Sequence, residues 1–370
     1  MAGSLIKRGK TWFLRYELPR GADGERRQKM VACPGLNKRQ AEEKLQDILR
    51  QLRTGNYVDP SGIPLWGHLD QWLRDRQADL APATIQRYGE IIRLHINPEI
   101  GGVALANISP AHIQLVCTRA AERGLSSKTV TCIRGVLHAA LHHAVRLQML
   151  PSNPVDAIAP PRVRRSERAV ADEDAIARLV AAASQSPYRI PILIGLATGM
   201  RRGEVVGLKW TDWDPGRSTL TVRRSICQLR DGRVFEKETK TGRPRVVAVP
   251  PQINTELECH RAGQPELADW ICTDPEGNRW TPDAITKGFK RLVRRIGLGQ
   301  LNFHSLRHTQ ATMLILAGVP PKIVSDRLGH STVQITQDLY THLLPGSQDE
   351  AARIVGEVLS GKPRIRLVED

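Results

Sequence analysis

Four side chains toward the C-terminal end of the chain have types and spacings suited to phosphoryl chemistry. Between Phe303 and His342 stand His304, Arg307, His330 and Tyr340. His304 and Arg307 are three residues apart on a predicted helix, which puts them on one face. A guanidinium presents a planar fork of donors that matches two phosphate oxygens, and an imidazole can take up or give a proton near neutral pH. A phenol hydroxyl can attack phosphorus. Singly these residues are commonplace; as a set they describe cleavage of a phosphodiester by a side-chain hydroxyl.

Such a reaction passes through a phosphorane-like transition state with added negative charge on its non-bridging oxygens. Two arginines that clamp those oxygens stabilise the charge and hold the geometry, and Arg201 joins Arg307 as a candidate. The Tyr340 hydroxyl, with an ordinary pKa of about 10, needs a proton acceptor, and the departing 5′-oxygen needs a donor. His304 suits the first task and Lys240, on a predicted Lys240-Thr241-Gly242 turn, the second. His330 follows Gly329 and can hydrogen-bond the phosphate from the start of a helix. A phosphotyrosine ester keeps the energy of the broken linkage. Rejoining then needs no ATP and, with arginine and lysine supplying the charge, no metal or other cofactor.

The elements that must position these groups are helical at first. Asp172 caps a predicted helix running to about Ala183, and PYRIPILIGLATG reads as an apolar helix ending at Gly199. Arg201 follows at the turn and Glu204 on the next short helix. STLTVRRSI, RVFEKETK and PRVVAVP read as strands of one small antiparallel sheet, and helices return at TPDAITKGFKRLVRRIG and continue to Tyr340. This third region is therefore α+β, mainly helical. After it, a short predicted helix sets Ala351, Ile354, Val355 and Val358 on one face; it can pack on its own domain or in a neighbouring subunit.

Two further regions precede it. Residues 1–60 read as a three-stranded sheet (SLIKRG, TWFLRYEL, RRQKMVAC) under one helix capped by Asn37, with a core around Trp12, Phe13 and Tyr16. Gly21-Ala22-Asp23-Gly24 would turn between the second and third strands. Lys7, Arg8, Lys10, Arg26, Arg27 and Lys29 lie on or beside the strands, where a strand face can enter a major groove. Residues 64–158 read as a four-helix bundle, with helices opening at Leu65, Pro82, Ser109-Pro110 and Ser126 or Ser127, the last stopped by Pro151. Arg87, Arg93, Lys128 and Arg134 are its candidate DNA-backbone contacts. His138, His142 and His143 give an i, i+4 pair, but neither an intervening glutamate nor an acidic third ligand accompanies them, so a metal role is not expected. A proline-rich linker with Arg162, Arg164, Arg165 and Arg168 leads into the third region, and Arg164 and Arg165 are counted among the DNA contacts.

The whole chain is basic: 54 Lys+Arg against 38 Asp+Glu, a formal charge of +16 and a pI near 10.0. That balance favours a polyanion such as nucleic acid, since each neutralised phosphate releases a condensed counterion. Six cysteines without a Cys-x-x-Cys pair argue against a zinc ribbon or disulfide framework. No signal core or membrane-length apolar stretch is evident, so the expected location is cytoplasmic, nucleoid-associated, with no membrane partner.

Five segments in order resemble the boxes of the tyrosine recombinases, the phage-integrase family. They are Thr198-Gly199-Met200-Arg201-Arg202-Gly203-Glu204, Lys240-Thr241-Gly242, His304-Ser305-Leu306-Arg307, Leu328-Gly329-His330-Ser331 and Tyr340-Thr341-His342. The resemblance covers a catalytic domain at 165–345 and extends to 64–158 as a core-site-binding domain. It extends to 1–60 as an arm-site-binding domain, with 346–370 as a tail. It implies Arg201 and Arg307 as phosphate clamp, Lys240 as general acid and His304 as proton acceptor or donor. His330 becomes a phosphate ligand, Tyr340 the nucleophile and Glu204 an acidic support. Lys237 competes with Lys240, and Arg202 with Arg201. The implied partners are double-stranded DNA at core and arm sites, a homotetramer on that DNA, and an excisionase or host DNA-bending protein.

Overall fold

The computed structural model describes residues 3–18, 27–53, 62–162, 169–238, 244–266 and 268–329, with isolated positions at 332, 337, 352, 353, 356 and 360. The predicted turn at Gly21–Gly24 and the apolar face Ala351, Ile354, Val355 and Val358 lie outside these residues. The chain divides into two compact units, Met1–Arg165 and Ser166–Asp370.

In the first unit, β1 (Gly3–Arg8), β2 (Thr11–Leu18) and β3 (Arg27–Cys33) form an antiparallel sheet in the order β1-β2-β3. Arg8 pairs with Thr11, so Gly9 and Lys10 make a two-residue hairpin turn. Gly9 has φ +59° as the first central residue, a position that wants glycine. Helix α1 (Lys38–Arg53) is opened by a reciprocal cap: Gln40 N donates to Asn37 Oδ1 at 2.9 Å and Asn37 N to Gln40 Oε1 at 3.0 Å. Its Ala41, Leu45, Leu49 and Leu52 are buried with Leu14, Tyr16 and Cys33. Strand alternation corrects one expectation. Leu14 and Tyr16 face α1, whereas Phe13 points to the other face, beneath the Arg8 guanidinium at 5.8 Å.

The bundle follows: α2 (Leu65–Asp75), α3 (Pro82–Ile91), α4 (Asn97–Ile100), α5 (Pro110–Glu122) and α6 (Ser127–Arg146). A π-helical turn at Ile92–Ile96 joins α3 to α4. Leu69, Trp72, Ile96, Ile113, Ile133, Leu137 and Leu141 form its centre. Ser126 is the cap of α6, accepting from Thr129 N. That helix stops at Arg146, before the expected end at Pro151. Met149 N donates to Ala144 O and Gln148 N to Val145 O, a Schellman closure with Gln148 at φ +56° where glycine is usual.

The second unit begins with α7 (Glu173–Ser184), capped by Asp172, and α8 (Arg189–Thr198). Helix α8 is apolar and almost wholly buried. Its Gly195 is packed so closely that a Cβ would sit 2.9 Å from the Phe303 ring. Then come α9 (Arg202–Val205), β4 (Trp213–Asp214), β5 (Thr219–Val222), β6 (Arg224–Gln228), β7 (Val234–Glu238) and β8 (Arg245–Ala248). The helices α10 (Pro251–Ala262), α11 (Pro282–Arg295), α12 (Phe303–Leu316) and α13 (Pro321–Leu328) complete it.

Among the described residues of this unit, two antiparallel sheets stand where one was expected: β4-β5-β8 and the hairpin β6-β7. STLTVRRSI breaks at Arg223, where the buried Asp212 carboxylate draws both Arg223, at 3.2 Å, and Arg224. Helix α10 was not expected, although Pro251 at its first position is a start signal. Among the described residues no helix is long and apolar enough to cross a membrane.

Candidate active site

Helix ends bring the first group of site residues together. Helix α8 closes at Gly199, whose φ of +64° is left-handed, and a Cβ there would meet Gln310 Oε1 at 2.2 Å and Leu328 Cδ2 at 2.4 Å. The chain is thereby turned so that Arg201 precedes α9 while Gly199 O points to α12. Helix α13 closes in the same way at Gly329, φ +66°. Three backbone carbonyls at these two turns become the sockets for two guanidiniums.

Arg307 is 3% exposed and donates from Nη1 to Gly199 O at 2.9 Å and to Leu328 O at 2.6 Å. Its Nη2 is buried and has no hydrogen-bond partner among the described residues. Burial, then repulsion from Arg201, pushes its pKa down to about 9, so it remains a cation at neutral pH. Arg201 donates from Nη2 to Gly329 O at 2.8 Å and from Nη1 to Glu204 Oε1 at 2.9 Å, and its side chain keeps 32% of its surface open. Its backbone N–H also donates to Glu204 Oε2 at 2.9 Å.

Glu204 is 1% exposed. Burial alone would raise its pKa, but hydrogen bonding and charge from Arg245, then Arg201, hold it below the usual carboxylate range. Arg245, at the start of β8, grips it with both ends of its fork: Nη2 to Oε2 at 2.6 Å and Nη1 to Oε1 at 3.2 Å. Arg245 Nε reaches on to Arg327 O at 3.2 Å.

The structure thus brings Arg201, Glu204 and Arg307 into one cluster, and separates Arg201 from Arg202. The Arg202 side chain turns to α11, bonding Thr286 and standing 3.8 Å from Asp283. His304 is exposed on the first turn of α12, its ring centroid 4.7 Å from that of His308. Lys237 is exposed on β7. Lys240, His330 and Tyr340 lie outside the described residues, as do Arg26, Arg164 and Arg165.

Sequence reasoning missed Arg245, Arg327 and Gln310. Arg327 donates to Ala197 O at 2.9 Å, and Gln310 bonds the same carbonyl. A signal for Arg245 existed: on β8 it shares its face with the buried Val247 while Val246 is exposed. A charged residue on the inward face of a strand needs a buried counter-charge.

The candidate DNA contacts divide by geometry. Lys7, Arg27 and Lys29 pair across the sheet with Trp12, Leu18 and Tyr16 and so stand on the α1 side. Arg8 joins Arg15 on the open face, where Arg15 Nη2 donates to Gln28 Oε1 at 2.6 Å; Lys10 is at the hairpin tip. Arg87 and Lys128 are exposed. Arg134 is committed inside the bundle, donating to Ile158 O at 2.8 Å and 3.1 Å and to Val155 O at 3.2 Å. His138 pairs with Asp156 at 3.0 Å. No group of three or more metal-ligand side chains gathers among the described residues.

Comparison with known proteins adds to this geometry. Residues 170–346 match the model described as phage integrase family, and residues 68–117 one described as phage integrase, N-terminal SAM-like domain. An integrase of Mycobacterium phage L5 is 30% identical, over 80% of this chain and 82% of that protein. A tyrosine recombinase XerC-like protein of Caldanaerobacter subterraneus is 29% identical, over 95% of this chain and 98% of that protein. Among solved structures, the Tn1549 transposon integrase in complex with a circular intermediate DNA superposes with a TM-score of 0.71 at 19% identity, covering 79% of this chain and 99% of that one. A lambda integrase dimer bound to a COC′ core site gives 0.60 at 18% identity, covering 91% and 94%.

Proposed function

The chain belongs to the phage integrase family of tyrosine recombinases, and from that premise we propose that it is the integrase of a phage or integrative element, cleaving and rejoining DNA through a 3′-phosphotyrosyl intermediate. The observation that carries this is the pair of guanidiniums, Arg201 and Arg307, seated on the carbonyls of two helix ends, with Arg201 also held by the buried Glu204. Arg201 stays partly open, and the second amino group of Arg307 has no hydrogen-bond partner among the described residues.

In the proposed reaction Tyr340 Oη attacks phosphorus as its proton passes to His304. The bond from phosphorus to the 5′-oxygen breaks, and Lys240 protonates that oxygen. Arg201, Arg307 and His330 bear the charge on the non-bridging oxygens. One phosphate ester replaces another, so the 5′-hydroxyl of a second strand can reverse the attack and complete exchange without ATP. The bundle would hold the core site and the N-terminal sheet an arm site, with four copies on two DNA sites. An excisionase or a host DNA-bending protein would set direction.

A two-site assay on plasmids carrying candidate attachment sites tests this reading. It expects exchanged products from the wild type and none from Tyr340→Phe. Relaxation of supercoils without exchange would replace recombination by a topoisomerase-like activity.

A further inference from the structure

We infer that Arg245 is a positioning residue for the cleavage reaction: it holds the Glu204 carboxylate that aims Arg201, and it ties the start of β8 to the end of α13. This rests on the reaction proposed above.

The geometry is that of a central strut. The Arg245 side chain is 14% exposed and places its three nitrogens on three acceptors, the two oxygens of Glu204 and the carbonyl of Arg327. Glu204 therefore lies between two guanidiniums with different duties. Arg201 keeps a third of its surface open, while Arg245 is spent on protein groups. Gly329 fits against the strut: a Cβ there would stand 2.9–3.0 Å from the Arg245 guanidinium. Since Gly329 O also receives Arg201 Nη2, Arg245 holds one anchor of Arg201, the carboxylate, and packs beside the residue that supplies the other.

Sequence position gives Arg245 its second connection. It is the first residue of β8, five positions after Lys240. A side chain pinned on α9 and α13 sets where that strand starts. Charge is the third point. Three arginines around one carboxylate leave the cluster net cationic, which suits a phosphorane more highly charged than the diester. A lysine at 245 would keep the charge but could not span both carboxylate oxygens and a carbonyl.

The test uses the full chain, a nicked core-site duplex that traps the covalent product, and the variants Arg245→Met and Arg245→Lys. DNA affinity, single-turnover cleavage against pH and thermal midpoint are measured together. Cleavage by Arg245→Met should fall about 10²-fold, the scale of an ångström-level misplacement, with affinity within threefold of wild type. The acid limb of its profile should move to higher pH. The charged groups facing Glu204 are Arg201 from the turn before α9, Arg245 from β8 and Arg307 from α12, while Arg327 on α13 turns to Ala197 O. Removing Arg245 takes away the strongest support for the anion, so Glu204 protonates at a higher pH and releases Arg201. Arg245→Lys should restore the acid limb and only part of the rate. If Arg245→Met does not fold, Arg245→Lys decides, through a lowered rate at unchanged affinity. A wild-type rate and pH profile in the folded variant would overturn the inference, as would loss of affinity equal to loss of rate. A wild type that binds but forms no covalent product would overturn both this inference and the reaction beneath it.

Discussion

Gly199 is the turn on which the arginine clamp depends, and Gly199→Ala separates the contributions to that turn. Two costs are expected. An alanine held at φ +64° pays about 1–2 kcal/mol for the left-handed conformation. Its Cβ would also lie 2.2 Å from Gln310 Oε1 and 2.4 Å from Leu328 Cδ2, and overpacking a buried site costs roughly 1–3 kcal/mol. The sum, about 2–5 kcal/mol, corresponds to a fall in thermal midpoint of about 4–20 °C at the 2–4 °C per kcal/mol of a unit this size. The relaxation must move either Gln310 or the Gly199 carbonyl that holds Arg307, so cleavage should fall by about 10²-fold beyond any loss of folded protein. Gly318→Ala is the control. Gly318 has φ +78° but open space around its Cβ position, so it should show the conformational cost alone and near-normal cleavage. Calorimetry and covalent trapping on both variants make the comparison. If Gly199→Ala melts no lower than Gly318→Ala and cleaves normally, the close packing at this turn does not hold the clamp.

Other expectations follow from the same contacts. Glu204→Gln should destabilise at neutral pH by roughly 3 kcal/mol, since it leaves buried guanidiniums without their counter-charge. Because Glu204 is held below the ordinary carboxylate range, its contribution is present above about pH 4.3 and lost as pH falls through its folded value. The gap between wild type and variant in urea midpoint should therefore close in acid, and a gap independent of pH would contradict the buried anion. Arg201→Ala should reduce cleavage by at least about 10²-fold, whereas Arg202→Ala, whose partners are Thr286 and Asp283, should stay within about threefold. Arg134→Ala should lower the thermal midpoint by orphaning the Val155 and Ile158 carbonyls, at about 1–3 kcal/mol, while Lys128→Ala should leave it unchanged and reduce the salt dependence of DNA binding by about one counterion.

The legibility of the chain followed the range of the forces involved. Gly199 was readable as a helix end because left-handed closure favours glycine locally, whereas Gly329, which closes α13 in the same geometry, was read only as the residue before His330. Arg201, Glu204 and Arg307 were readable as candidates because phosphate chemistry calls for those chemical types. Gln148 closes α6 in the same left-handed geometry without the glycine that announces it, so the end was placed too late. The single strand expected at STLTVRRSI was split by Asp212, an acceptor eleven residues from Arg223, which no period-2 pattern reveals. Arg245 was passed over because its partners, Glu204 and the Arg327 carbonyl, are 41 and 82 residues away. Phe13 looked like core by type, but strand alternation gave that place to Leu14.

The most direct measurement is covalent trapping. Wild type and Tyr340→Phe are incubated, in chelator and without ATP, with nicked duplexes from the region flanking the gene, then denatured and analysed by peptide mapping. A DNA adduct formed by the wild type alone and mapped to Tyr340 is the predicted result. Tight binding by the wild type without an adduct, or an adduct that survives Tyr340→Phe, would contradict a phosphotyrosyl mechanism at this site.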